Sequence, residues 1–148
     1  MSKPERMIRV IYLMITAVLT TGLSYSQDTD IQIVNLSIHD GLSQSQVSCI
    51  LQDSKGFIWI GTQDGLNKYD GYHFNIFRND PYDSCSISSN SINCIIESSD
   101  NNLWVGTRFG LSKFIRSKAK FKNYYHNDSN INSLSNNIIH GIIEDNDG

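Results

Sequence analysis

The sequence predicts an all-β protein made of a repeated unit of short antiparallel strands. The first observation is internal: residues 57–69 and 102–114 share an aliphatic–Trp–aliphatic–Gly–Thr stretch, then Gly-Leu, then Lys before an aromatic residue. The second is that the apolar runs are short, rich in Ile, Val, Phe, Tyr and Trp, and separated by turn residues. The third is that no segment after residue 26 keeps a helical period.

The two copies stand 45 residues apart, as Trp59 and Trp104 show. The same offset pairs Cys49 with Cys94, Gly61 with Gly106, Thr62 with Thr107, Gly65 with Gly110, and Leu66 with Leu111. A third copy begins at Leu134, which lies 92 residues after Leu42. Periods of this size are typical of solenoids, propellers and arrays.

Within the first unit the apolar runs predict four strands, with turns at Gly56, Gly65 and Gly71. The predicted strands are Val47–Gln52, Phe57–Thr62, Leu66–Tyr69 and Phe74–Phe77. Four short antiparallel strands in a unit of this length form one blade of a β-propeller. The predicted fold is therefore a partial β-propeller, with two four-stranded blades and the start of a third. A further strand is expected near Ile33–Ile38, where it would close the last blade of a complete ring.

The repeated positions are expected to be scaffold, because each repeat buries the face of its neighbour. Trp59 and Trp104 are predicted to lie between blades, so that replacing either with Ala costs about 3–5 kcal/mol. The glycines are expected to serve turns and close approaches, and the threonines to hydrogen-bond the adjacent turn. These positions are Asp53, Gly56, Trp59, Gly61, Thr62, Gly65, Leu66, Trp104, Gly106, Thr107, Gly110 and Leu111.

The N-terminus differs in kind from the repeats. Three cations precede the uncharged, mostly apolar stretch Val10–Leu23, and a small-x-small pattern ends at Ser26. This layout predicts a secretory signal peptide over residues 1–26, cleaved after Ser26, and hence an exported protein. The alternative is a short uncleaved anchor, which is disfavoured because a spanning helix needs roughly 20 apolar residues.

The sequence contains no catalytic or cofactor motif such as a P-loop, a dinucleotide fingerprint or a nucleophile elbow. Asp128, Asn130 and Asn132 mimic the start of a calcium loop. Ser133 stands where that loop needs Gly and Ile139 where it needs Glu, so a polar turn is expected instead of a metal site. A formal charge of −3 without a basic arm argues against nucleic-acid binding.

Three features are left open by the residues alone. An alternation of cations predicts four of them on one strand face, which either contacts an anionic sugar or protects a sheet edge; they are Arg116, Lys118, Lys120 and Lys122. Aromatic residues near loops either stack on sugar rings or fill gaps between blades; they are Tyr72, Tyr82, Tyr124 and Tyr125. An odd number of cysteines leaves at least one unpaired among Cys49, Cys85 and Cys94.

The first unit resembles the two-component regulator propeller repeat. The pattern Leu-Ser-x-x-x-Val-x-x-Ile-x-x-Asp-x-x-Gly-x-x-Trp-x-Gly-Thr-x-x-Gly-Leu-x-x-Tyr runs here from Leu42 to Tyr69. The second copy departs from it, with Ser98 in place of Asp and Asn101 in place of Gly.

The resemblance implies the periplasmic sensor region of a hybrid two-component histidine kinase of Bacteroidetes, without catalysis, cofactor or nucleic acid. It implies an oligosaccharide ligand, and further propeller blades and a downstream kinase region as partners. Residues 27–148 would then be an N-terminal propeller fragment, with repeats at about 40–78, 85–125 and 132–148. Two alternatives are kept: a secreted lectin-like propeller that assembles by oligomerisation, and a propeller hydrolase or lyase.

Overall fold

The computed structural model describes residues 33–145, and its two sheets are both four-stranded and antiparallel. Blade 1 holds β1 (Val47–Gln52), β2 (Ile58–Thr62), β3 (Gly65–Tyr69) and β4 (Phe74–Phe77), side by side in chain order. Blade 2 holds β5 (Ile92–Glu97), β6 (Leu103–Thr107), β7 (Gly110–Ile115) and β8 (Lys120–Tyr124) in the same order. The predicted all-β fold class and the four-stranded layout of the unit are confirmed. The predicted signal peptide lies outside the described residues.

The strand predicted near Ile33–Ile38 is wrong. Residues 33–37 form no regular structure, and Ile38–Asp40 form a single 3₁₀ turn. The Ser37 backbone N–H donates to the Asp40 carboxylate at 2.8 Å, and the Ser37 hydroxyl accepts from the His39 N–H at 3.2 Å. These local bonds form a capping box, which gives the backbone an alternative to strand pairing.

The third copy forms no strand within the described residues, although it lies against blade 2 as β5 lies against blade 1. The Asn93 amide donates to the Ile139 carbonyl at 2.8 Å, and the Ser48 hydroxyl donates to the Ile92 carbonyl at 2.6 Å. Asn93 and Ser48 are 45 residues apart, so these are equivalent contacts in successive units. The start of each unit is therefore fixed by the unit before it.

Gly61 and Gly106 lie where the next unit approaches most closely. A Cβ added at Gly61 would stand 2.5 Å from the Cys49 sulfur and 2.7 Å from a methyl carbon of Ile92. At Gly106 the corresponding distances are 2.5 Å to the Cys94 sulfur and 2.6 Å to Ile139. No side chain fits in either space, which explains why the sequence repeats glycine there.

The core lies between the facing sheets of the two blades. Its buried members are Trp59, Leu66, Ile87, Ile92, Ile95, Leu103, Val105, Phe114 and Phe121, with Phe77 packed against them. The Trp59 ring stacks on Phe77 at 5.9 Å between centroids and meets the edge of Phe114 at 5.2 Å. Aromatic contacts between Phe77 of blade 1 and Phe121 of blade 2, at 5.6 Å, continue the cluster.

Trp104 is less buried than its repeat partner. Trp59 is completely buried, whereas Trp104 is only partly buried and lines an open cleft of about 480 Å³ with Leu111 and Ile143. The two repeat positions therefore differ in burial within the part of the chain that the structure describes. Blade 2 covers Trp59, while only residues of the short third copy lie beside Trp104.

We expect Trp59→Ala to lower the free energy of unfolding by about 3–5 kcal/mol, because it removes a fully buried ring from the core. Trp104→Ala should cost roughly half as much, since its ring is already partly hydrated. Urea unfolding followed by far-UV circular dichroism measures both losses. Equal losses in the two variants would contradict the burial difference.

Gly61→Ala should destabilise the chain by about 1–3 kcal/mol, because the new methyl group overlaps Cys49 and Ile92. Gly141→Ala is the matched control, since a Cβ there would meet nothing within 4 Å. In the same urea titration, the control should change the free energy of unfolding by less than about 0.5 kcal/mol. A Gly61→Ala protein as stable as the control would show that the blades are not in contact at this position.

Candidate functional site

Antiparallel strands place successive turns at opposite edges of the sheets, and the two edges have different chemistry. We call one edge the crossover rim; it holds residues 63–64, 78–91, 108–109 and 125–138. We call the other the hairpin rim; it holds residues 53–57, 70–73, 98–102 and 116–119. The hairpin rim holds charged contacts between the blades, whereas the crossover rim presents aromatic side chains to solvent.

Asp53 is the central group of the hairpin rim. Its carboxylate is buried and accepts the Trp59 indole N–H at 2.8 Å and the backbone N–H groups of Lys55 and Phe57 at 3.0 Å. The Arg116 guanidinium of blade 2 donates to the same carboxylate at 2.7 Å, and to Glu97 at 2.6 Å. A buried charge is stable when it is paired and hydrogen-bonded in this way, and here the pairing ties blade 1 to blade 2.

The prediction of four cations on one strand face is wrong. Residues 116–119 form a turn in which Ala119 has φ of 51°, so the alternation from Arg116 to Lys122 does not follow a strand. Arg116 points into the blade junction, and only Lys120 and Lys122 lie on β8. Residues 116–122 therefore do not form a single cationic face for an anionic sugar.

The pKa of Asp53 reflects two opposed effects. Burial raises the pKa of this carboxyl, whereas hydrogen bonds from the Trp59 indole, the Arg116 guanidinium and the backbone of Phe57 and Lys55 lower it. The net result is a pKa below the ordinary value, because the donors outweigh the loss of water. The folded chain therefore favours the ionised carboxylate, which stabilises the fold above the unfolded pKa of about 3.9.

A second inter-unit contact repeats along the hairpin rim, and the sequence analysis missed it. The backbone N–H of Ser54 donates to the Glu97 carboxylate at 2.6 Å, and that of Ser99 donates to Glu144 at 2.8 Å. The available signal was the Ile-Ile-Glu stretch that ends at Glu97 and again at Glu144. These glutamates are 47 residues apart, so a search at the 45-residue offset does not pair them.

The two departures of the second copy from the repeat pattern have local consequences. Asn101 takes φ of 60° where Gly56 has φ of 85°, a conformation that Asn tolerates better than most residues. Ser98, in place of Asp, donates to the Asn102 carbonyl at 3.0 Å and gives the Trp104 indole no acceptor. Blade 2 thus keeps the turn but loses the buried carboxylate.

The repeated glycines and threonines shape the crossover rim. Gly65 and Gly110 have φ of 123° and 109°, and a Cβ there would stand within 2.8 Å of the neighbouring strand. The Thr62 hydroxyl donates to the Gly65 carbonyl at 3.0 Å, and Thr107 donates to Gly110 at 2.9 Å. The two turns therefore share the same geometry.

The loop that crosses between blades is also repeated. The Asp80 backbone N–H donates to the Ser86 hydroxyl at 2.9 Å, and the Asn127 N–H donates to Ser133 at the same distance. The side chains of residues 127–132 are used in this turn, since the amide oxygen of Asn130 accepts the Asn132 N–H at 3.0 Å. Among residues 33–145 no group of three or more His, Cys, Asp or Glu side chains is placed to hold a metal ion.

Three aromatic side chains line one cleft of the crossover rim. Phe109, on the β6–β7 turn, lies 5.8 Å from the Tyr125 ring, and Tyr82 stands on the crossing loop with 99% of its surface exposed. Together with Asp80 and Asp83 they line a cleft of about 360 Å³, which we call the aromatic cleft. Of the other two tyrosines named from the sequence, Tyr124 packs on Trp104 at 5.7 Å and Tyr72 is exposed on the hairpin rim.

The cysteines are unpaired in the described part of the chain. Cys49 and Cys94 lie beside the repeated glycines, and burial raises the pKa of both thiols. They are therefore small apolar packing groups here. No helix in the described residues is long and apolar enough to cross a membrane.

Successive four-stranded antiparallel blades, joined by crossing loops and packed face to face, define the β-propeller class. Residues 41–64 and 86–109 match the family model of the two component regulator propeller. These two matches cover the first strand pair and the following turn of each blade. These two segments of the chain are thus similar to the two component regulator propeller repeat.

Individual proteins are similar to parts of the chain as well. Over 49 residues the chain is 63% identical to histidine kinase P4 of Formosa agariphila; the match covers 33% of this chain and 4% of that protein. The crystal structure of an extracellular domain assigned to a hybrid two component system of B. thetaiotaomicron superposes with a TM-score of 0.65 at 32% identity, covering 71% of this chain and 15% of that domain.

A second such domain from B. thetaiotaomicron has a TM-score of 0.50 at 24% identity, covers 63% of this chain and 14% of its own, and supports the fold alone. The chain therefore spans a small part of each of these proteins. The part that it spans resembles the non-catalytic extracellular propeller, and the kinase region of such a protein lies elsewhere.

We expect Asp53→Asn to lower the free energy of unfolding by about 2–3 kcal/mol at pH 7, because charge-assisted hydrogen bonds to Trp59 and Arg116 are weakened. The folded pKa is depressed, so the contribution is complete above pH of about 3.9 and is lost as the pH falls through the folded pKa. Urea titrations of both proteins from pH 7 to pH 2 measure the difference. A gap that stays constant over this range would show that the Asp53 charge does not stabilise the junction.

Proposed function

We propose that residues 27–148 are part of the ligand-sensing propeller of a two-component sensor, exported to the periplasm by a signal peptide at residues 1–26. The observation that carries the proposal is the match of both blades to the two component regulator propeller. The likeness to extracellular domains of hybrid two component systems supports the same compartment and the same role. The remaining blades and a kinase region belong to other parts of such a sensor.

We further propose that the sensor responds to a carbohydrate. The support is chemical: the crossover rim presents exposed aromatic rings beside carboxylates, and sites for small polar ligands combine apolar walls with a few polar groups. The hairpin rim supports a mechanical role, because the Asp53–Arg116–Glu97 contact ties adjacent blades to each other. A ligand held by loops on such a scaffold can shift the population of signalling states further along the chain.

A second candidate function is a secreted lectin-like propeller that assembles from several copies. One observation favours it: the face of blade 2 that carries Trp104 and Leu111 lines an open cleft in the described residues, with Ile143 of the third copy beside it. A second copy would bury this face as blade 2 buries Trp59. Analytical ultracentrifugation separates the two candidates, since the lectin requires a stable ring of several copies.

Deleting the gene from its source bacterium should abolish the transcriptional induction of genes for glycan use by one oligosaccharide. Transcript levels after exposure to a panel of plant and algal oligosaccharides measure this response. Complementation with the wild-type gene should restore it, and so should the Tyr72→Ala gene, since Tyr72 is an exposed side chain on the hairpin rim. Induction that survives the deletion for every oligosaccharide would overturn the carbohydrate-sensing function.

Mass spectrometry of the periplasmic fraction provides an independent check on export. The mature chain is expected to begin at Gln27, because the small-x-small pattern ends at Ser26. Recovery of the chain with Met1 still attached in the cytoplasmic fraction would contradict this proposal.

A further inference from the structure

Equivalent positions on the crossover rim carry different chemistry in the two blades. In blade 1, the Arg78 guanidinium pairs with the Asp64 carboxylate at 2.8 Å and also donates to the Asp64 carbonyl at 3.1 Å. In blade 2 the corresponding positions hold Phe109 and Tyr125, whose rings lie 5.8 Å apart at an angle of 53°. The backbone of the two turns is the same, so the scaffold does not require aromatic residues there.

These aromatic side chains are largely hydrated. Phe109 is 58% exposed and Tyr125 41% exposed, and the Tyr82 ring beside them is almost entirely exposed. Ser129 stands at the position equivalent to Tyr82 in the next crossing loop. Three aromatic residues thus replace polar ones at a single cleft, where they contribute little to the core. Exposed apolar groups gathered in this way mark a binding surface.

The polar groups of the cleft define the ligand that fits it. One oxygen of Asp80 accepts the Tyr82 N–H at 2.9 Å, and one oxygen of Asp83 accepts the Cys85 N–H at 2.9 Å. The second oxygen of each carboxylate has no protein partner in the described part of the chain. The cleft therefore offers acceptors to a ligand that carries hydroxyl donors, and its negative charge disfavours an anion.

We propose that the aromatic cleft binds a pyranose ring of an uncharged oligosaccharide. The ring stacks on the Phe109–Tyr125 pair and against Tyr82, and its hydroxyls donate to Asp80 and Asp83. A pyranose ring has an apolar face and a hydroxylated edge, which matches aromatic walls beside free carboxylate oxygens. The cleft volume of about 360 Å³ lies in the range of small-ligand sites. This inference rests on the proposed carbohydrate-sensing function and assigns it a place on the fold.

The test uses the full chain on an array of uncharged oligosaccharides, with uronate-containing and sulfated oligosaccharides beside them. The best-bound uncharged oligosaccharide is then titrated by calorimetry into four variants of the cleft and its surroundings. The double variant Phe109→Asp with Tyr125→Arg introduces the ion pair that blade 1 has at these positions. Tyr82→Ser introduces the residue that stands at the equivalent position of the next loop, and Asp80→Asn removes one carboxylate. Tyr72→Ala is the matched control at an exposed tyrosine.

We expect binding of at least one uncharged oligosaccharide and weaker or absent binding of the anionic ones. The two aromatic replacements should each weaken binding by about tenfold or more, as the loss of stacked rings does. The control should bind like the wild type. All of the replaced side chains are on the surface, so unfolding midpoints should remain close to that of the wild type, and a loss of binding then reports on the cleft.

Three results would overturn the inference. They are the absence of binding to any uncharged oligosaccharide at millimolar concentration, a preference for the uronate-containing or sulfated oligosaccharides, and unchanged affinity in the aromatic variants. The last result would move the sugar to another surface while the sensing function stands. A different result would contradict the sensing function alone: the sugar binds to this cleft, but deleting the gene does not reduce induction by any oligosaccharide. The cleft would then still be a sugar-binding site.

Discussion

The fold depends on the contact between the buried Trp59 ring and the carboxylate of Asp53. A sheet in a propeller is apolar on faces that its own blade cannot cover, so it is stable only when the next blade packs on it. Trp59 provides much of that apolar face, and its indole N–H needs an acceptor in a region without water. Asp53 supplies the acceptor, and Arg116 of blade 2 neutralises the resulting buried charge. The Asp53 carboxylate therefore accepts the Trp59 N–H and, through Arg116, also links the two blades.

Blade 2 shows which parts of this arrangement are indispensable. It keeps the glycine under the next unit, the threonine-bonded turn and the serine–glutamate contact, while it replaces Asp53 by Ser98 and Gly56 by Asn101. Trp104 accordingly packs on Tyr124 and Lys113 and stays partly exposed. Backbone geometry is thus the conserved element between the two units, and side chains on the crossover rim are free to differ. A ligand site can therefore arise on the crossover rim without disturbing the fold.

Sequence reasoning succeeded where register alone decides the structure. The strands of blade 1 and the glycine and threonine turns follow from the 45-residue offset and the alternation of apolar residues. It failed where the outcome depends on contacts with residues distant in sequence. Ile33–Ile38 is apolar enough for a strand, but no strand of the described residues pairs with it. Arg116 lies in a turn, where it pairs with the carboxylates of Asp53 and Glu97. The sequence alone does not show that the aromatic cleft replaces an ion pair of blade 1. Tyr125 corresponds to Arg78 only through the strand pairing, which makes the repeat offset 47 residues there instead of 45.

Hydrogen exchange of the two indole N–H groups tests the blade junction most directly, because the chain contains only Trp59 and Trp104. Proton–nitrogen correlation spectra recorded after transfer into deuterated water resolve one indole signal for each. The buried bond from Trp59 to Asp53 predicts one signal that persists until the chain unfolds globally. The second signal should disappear earlier, because Trp104 is only partly buried. Rapid loss of both signals would contradict a folded junction between the blades.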